Sequence, residues 1–186
     1  MAETLQWGMT FPHRDSVRRA VDLLAVLLPP DTGVAAVEGV LRAHGEPDVH
    51  LSAQDLAKLR EAARELREVF AASDVTEAAS VLNRLFARYA GPPRLTDHED
   101  DYGWHLHIDA ADDGPWDRWL VTSSALGLAT LLADRQGPPG GLCASQPCGN
   151  PFAHLGGGSP RRYCSPRCAT RERVAAHRAA QHPEKP

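Results

Sequence analysis

The residues in this sequence with the clearest chemistry are its four cysteines, Cys143, Cys148, Cys164 and Cys168. They fall into two pairs, Cys143-Ala-Ser-Gln-Pro-Cys148 and Cys164-Ser-Pro-Arg-Cys168, with fifteen polar and glycine-rich residues between them. Two short knuckles, each offering two thiolates, are how a chain supplies a tetrahedral zinc site. Zinc has no redox chemistry and four sulfurs close its shell, so the spacing predicts one structural Zn2+ and no catalytic metal. Two disulfides are the rival use of the same residues, and they suit small secreted domains. The rest of the chain holds no cysteine, and the N-terminal residues from Met1 open no basic stretch followed by an apolar run. A cytoplasmic protein is therefore expected.

The second pair carries its own helix signals. Ser165 can cap a helix, and Pro166 suits the first helical position, where its missing N–H costs nothing. Cys168 then falls in the first turn, and Arg171, Val174, Ala175, Arg178 and Ala179 continue helically towards Pro183. A hairpin is expected from Phe152–His154 through Gly156-Gly157-Gly158 back to Arg161–Tyr163, with Phe152 and Tyr163 as its small core. Knuckle, hairpin and ligand-bearing helix make a treble-clef-like order.

Upstream, the pattern is helical. Asp15-Ser16 is a candidate cap for a helix to about Leu28, with Val17, Val21, Leu24 and Leu28 as its stripe. Thr32 can cap a short helix that ends at Gly45. Ser52-Ala-Gln-Asp55 resembles a capping box, followed by Leu56, Leu59, Ala63, Leu66 and Phe70 at helical spacing. The charged residues between them, Lys58 to Glu68, read as a solvated face. Asp74 or Thr76 starts another helix, stopped by Gly91-Pro92-Pro93. Trp104-His105-Leu106-His107-Ile108 alternates as a half-buried strand after a turn at Asp100–Gly103. Pro115-Trp116-Asp117 opens the last helix of this part, and Asp134 to Gly140 reads as a linker. Trp7 and Phe11, in a segment without periodicity, are expected to tuck against the helices. The fold class expected is mainly α (α+β): a helical body over residues 1–136 and a zinc finger over 137–186.

Composition fits two jobs. An apolar share of 42% is enough for a core, and the uncharged, leucine-rich run Trp119–Ala133 is too short and too polar to span a membrane. From Asp134 onward eight basic residues stand against three acidic ones, a net of +5; the whole chain is −4, so residues 1–133 carry −9. An acidic body and a basic end suggest that the end meets a polyanion.

The Cys-x4-Cys pair, Phe152, Arg161-Arg162-Tyr163-Cys164-Ser165 and the Cys168-x-x-Arg171 entry to a basic helix together resemble the bacterial CGNR zinc-finger family. Its members carry an N-terminal ABATE-type domain and are regarded as stress-induced transcription regulators. Val21–Ala25, Leu51–Arg60 and the Trp104 strand extend the likeness into the body. The family's tetrad is Cys168-Ala169-Thr170-Arg171 here, so its Gly and Asn are replaced. Cys148-Gly149-Asn150 spells the first three letters at a different ligand.

The resemblance implies a DNA-binding regulator with Arg161, Arg162, Arg167, Arg171, Arg173 and Arg178 meeting phosphates, and an N-terminal domain that senses a small ligand or docks a partner. The alternative is a zinc-stapled protein-interaction module. An enzyme is not expected: no phosphate loop, nucleophile elbow or paired-carboxylate motif occurs. His154 and His177, candidates for a nuclease-like site, each lack a paired carboxylate or second His nearby in sequence. His105 and His107 share one strand face and, with His98 or Asp109, have the donors for a metal, although exposed strand residues are the reading adopted.

Overall fold

The computed structural model describes residues 12–46, 48–97, 104–110, 114–156, 158 and 161–181. Among them the chain forms six helices and two antiparallel strand pairs: α1 (Pro12–Leu27), α2 (Val34–Ala43), α3 (Ala53–Ala71), α4 (Val75–Tyr89), β1 (Arg94–Thr96), β2 (His105–His107), α5 (Trp116–Arg135), β3 (Gly140–Leu142), β4 (Pro151–Ala153) and α6 (Pro166–Gln181). The mainly helical class is as the periodicity indicates. Trp7, Phe11, the Asp100–Gly103 turn and His98 lie outside the described residues.

The body is built around α5, which packs against α1, α3 and α4. Its buried residues, including Leu120, Val121, Ala125, Leu128 and Leu131, run most of the way round the helix. Two devices make that possible. Buried Thr122 satisfies its hydroxyl by donating to the Arg118 carbonyl at 2.9 Å. Gly127 lets α1 come close, since a Cβ there would sit 2.9 Å from the His13 carbonyl and 3.1 Å from Val17 Cγ2. Val17, Ala20, Leu23, Leu24 and Leu27 of α1, with Leu59, Leu66 and Phe70 of α3 and Leu82 and Leu85 of α4, complete the core.

Several boundaries and faces differ from the sequence expectation. α1 starts at Pro12, so Ser16 lies inside it and donates to the His13 carbonyl at 2.9 Å. Its buried stripe runs through Ala20, Leu23 and Leu27, while Val21 and Leu28 are only partly covered. The cap of α2 is Gly33, not Thr32. The Thr32 carbonyl is instead held at 2.6 Å by the Arg60 guanidinium, which also takes the carbonyls of Pro29 and Pro30. The stop at Gly45 (φ 96°), the Ser52/Asp55 capping box and the Asp74 cap are as read. Nor is the charged face of α3 merely solvated. Glu68 pairs with Arg84 at 2.9 Å, and Glu65 receives Arg88 at 3.0 Å and the Tyr89 hydroxyl at 2.9 Å, all from α4.

The β1–β2 register pairs Arg94 with His107, Leu95 with Leu106 and Thr96 with His105. The apolar side is the outer one: Trp104 is 71% exposed, Leu95 66% and Leu106 45%. His105 and His107 lie half-buried on the other side, which reverses the expected exposure of these histidines. Period-two alternation defines two faces without saying which turns inward. Here Asp109 decides it, accepting from Arg94 at 2.8 Å and lying 3.1 Å from His107 Nδ1.

The second hairpin is also not the expected one. Residues 151–153 pair with 140–142, Gly141 facing Phe152, and 161–163 form no strand. Backbone pairing needs a strand with free donors within reach. Residues 140–142 supply it because α5 ends shortly before them, at Arg135, with Gln136 left-handed at φ 52°. The hairpin seats on α1 and α3. Ala153 joins the core cluster, and Phe70 lies so close to Gly140 that a Cβ there would sit 2.8 Å from the ring and against the Phe152 carbonyl. Gly140→Ala should therefore destabilise the protein by about 1–3 kcal/mol, the usual cost of overpacking. A melt followed by circular dichroism should show Tm several degrees lower; a wild-type Tm would contradict this packing.

Candidate metal centre

Cys143 follows β3 directly and extends the hairpin, its N–H donating to the Asn150 carbonyl at 2.9 Å. The chain then turns tightly: Cys148 N–H donates to the Ser145 carbonyl at 2.9 Å, and Gly149 takes a left-handed φ of 63°. The second pair arrives from the other side. Ala144 N–H donates to the Arg162 carbonyl at 2.9 Å, and Cys164 N–H points at Cys143 Sγ at 3.4 Å. Ser165 accepts from the Cys168 N–H at 3.3 Å, so it caps α6 as its sequence position indicates. Cys168 thus sits in the first turn, buried, beside Cys164.

All four sulfurs lie within 4.8 Å of one another, with Cys148–Cys164 at 3.5 Å and Cys164–Cys168 at 3.8 Å. A disulfide requires about 2.05 Å, and all four are free thiols. Tetrahedral zinc with Zn–S near 2.3 Å sets its sulfurs about 3.8 Å apart, which matches this cluster. The four cysteines fit one zinc ion. Residues 141–181 match the family model of the CGNR zinc finger. A comparison of the chain with curated proteins finds no match.

Within the finger the thiols are not equivalent. The Ser165 hydroxyl beside Cys168 brings its pKa down to about 7, while burial pushes Cys164 up to about 12. Bound zinc supplies what the buried thiols lack, a positive centre that keeps all four sulfurs ionised. A closed shell of four thiolates leaves no position for substrate, so its contribution is to the fold.

Two residues that the spacing did not single out complete the centre. Ser145, 1% exposed, sits between the first two cysteines, and its hydroxyl donates to Glu172 Oε1. The same oxygen accepts from Arg171 Nε at 3.0 Å and Nη2 at 2.7 Å, and Arg171 Nη2 reaches Cys168 Sγ at 3.3 Å. Only the tertiary approach of α6 to the knuckle reveals this cluster; Ser145 in sequence is one polar residue among several.

The arginines expected at phosphates fall into two groups. Arg161 and Arg171 are engaged within the finger: Arg161 donates to the Ala153 carbonyl at 2.9 Å and lies 5.6 Å from the Phe152 ring centre. Arg162 is exposed over the Tyr163 ring, and Arg167, Arg173 and Arg178 extend from α6 without a partner among the described residues. Of the histidines, His154 packs edge-on against Phe152, and burial holds its pKa below the ordinary value. His177 meets Gln181 on the exposed helix. His105 and His107 approach each other at 3.0 Å, and His107 is tied to Asp109. The cysteines form the one cluster of three or more metal-ligating side chains among the described residues. Elemental analysis of the purified protein should find one zinc per chain, and Cys164→Ser should lose most of it. A metal-free wild type that keeps its full helical signal would remove the zinc assignment.

Proposed function

We propose that the protein is a non-catalytic transcription regulator that binds duplex DNA through α6 and Arg162, with a helical body that senses a signal or docks a partner. The observation that carries this reading is the exposure of α6: from Ala175 to Gln181 every residue is exposed, and Arg167, Arg173 and Arg178 are unpartnered among the described residues. Arg167 and Arg178 are eleven residues apart, about three turns, so they return to one side of the helix about 16 Å apart. Arg173 projects from another side. A helix about 10–12 Å wide enters a major groove of about 12 Å, and arginines on two of its sides then face phosphates on both walls. The charge split orients the encounter, because a body carrying −9 is repelled by the same phosphates that attract the +5 end. The resemblance to stress-induced regulators supports the regulatory role by analogy, as does the family match over the finger.

A second reading is a protein-interaction module stapled by zinc. It is favoured by Leu95, Trp104 and Leu106, large apolar side chains exposed together on one side of the β1–β2 pair.

Salt dependence separates the two. With Arg162, Arg167, Arg173 and Arg178 at phosphates, log K for random duplex DNA should fall against log salt with a slope of about −3 to −4, and Arg178→Ala should make it shallower by about 1. Binding that ignores salt, or no binding by the zinc-loaded protein, would exclude the DNA reading and favour the protein partner.

A further inference from the structure

We propose that Arg171 is a positioning residue of the zinc centre, joining α6 to the first cysteine pair and balancing charge at Cys168, and that it takes no part in contacts with nucleic acid. By sequence Arg171 belongs with Arg167 and Arg178, four and seven residues away on the same side of α6. The fold bends its guanidinium towards the knuckle, with the side chain still 42% exposed. Nε and Nη2 converge on Ser145 Oγ at 3.0 and 2.7 Å, and Nη2 also reaches Cys168 Sγ at 3.3 Å.

Ser145 lies in the turn between Cys143 and Cys148, so this contact links the two cysteine pairs by a route that does not pass through the metal. The link is also hard to give up. The Ser145 hydroxyl is buried, donates to Glu172 and depends on Arg171 as its donor. Removing a partner from a buried polar cluster leaves a desolvated group unsatisfied. The electrostatics point the same way. Four thiolates on a divalent ion leave a net charge of about −2, and Arg171 places a cationic N–H donor 3.3 Å from one of those sulfurs. With Nε and Nη2 held in this way, only Nη1 of the fork is left to meet a phosphate. Arg167 and Arg178 give up nothing comparable.

The test uses the full chain and two readouts: zinc transfer to a competing chelator, and DNA affinity across a salt series at saturating zinc. Arg171→Ala should surrender zinc at about 10–100-fold lower chelator concentration, the usual effect of losing an outer partner of a metal ligand. Ser145→Ala should shift in the same direction by less. Arg171→Lys, which keeps the charge without the fork, should fall between Arg171→Ala and wild type. Arg167→Ala and Arg178→Ala should hold zinc as the wild type does. At saturating zinc, Arg171→Ala should leave the salt slope unchanged. Wild-type zinc retention by both Arg171→Ala and Ser145→Ala would overturn the proposal, as would a slope that Arg171→Ala flattens as much as Arg178→Ala does. Should Arg171→Ala fail to fold, Ser145→Ala and Arg171→Lys decide the question. The zinc readout stands whether or not the protein binds DNA.

Discussion

Four sulfurs within 4.8 Å of one another cannot all be ionised unless a cation shares them, because thiolates at that distance repel strongly in a partly buried site. That constraint governs the C-terminal part of the molecule. One cysteine pair closes a hairpin that rests on the helical body, and the other opens α6. Drawing the pairs together sets where α6 begins and in which direction it leaves. The exposed arginines of that helix inherit their position from the metal centre, and the Ser145–Arg171–Glu172 cluster reinforces it from outside the coordination shell.

The finger is not tethered to the body by a loose linker. α5 runs to Arg135, whose guanidinium holds the carbonyls of His154 at 3.1 Å and Gly156 at 2.9 Å. The His154 N–H returns to the Pro139 carbonyl at 2.9 Å. Phe70 of α3 covers Gly140, and Ala153 reaches the core shared by α1, α3 and α5. A hairpin of three-residue strands has too little surface to be stable alone in water. The apolar contact with the helices supplies what the strands lack, and the knuckle at the hairpin's end gains a firm base.

Charge is distributed in a way that suits this architecture. Acidic residues of α3 are turned towards α4, where Glu65 and Glu68 meet Arg88 and Arg84. Such exposed pairs are each worth only about 0–1 kcal/mol, so their effect is on the alignment of the two helices more than on stability. No helix among the described residues is long and apolar enough to cross a membrane. The apolar surface at Leu95, Trp104 and Leu106 lies on the small sheet of the body and belongs to a different element from the basic helix.

The sequence by itself determined what is local. Cysteine spacing set the ligands, Ser165-Pro166 set the start of α6, Ser52/Asp55 and Asp74 set two caps, and Gly45 set a stop, because each depends on residues within a few positions of one another. Helical periodicity in α3 and α4 likewise exposed most of the core, since a stripe of apolar residues has few alternatives to burial. Tertiary structure decided whatever required a choice among distant partners. Residues 151–153 were expected to pair with 161–163 and took 140–142 instead, because the end of α5 delivers that segment beside them. The β2 alternation left its inward face open until Asp109 drew Arg94 and His107 to one side. Arg161 and Arg171 look like any other arginines of a basic segment. Their roles emerged only when folding placed an orphan carbonyl, a buried hydroxyl and a cysteine sulfur within reach of their guanidinium groups.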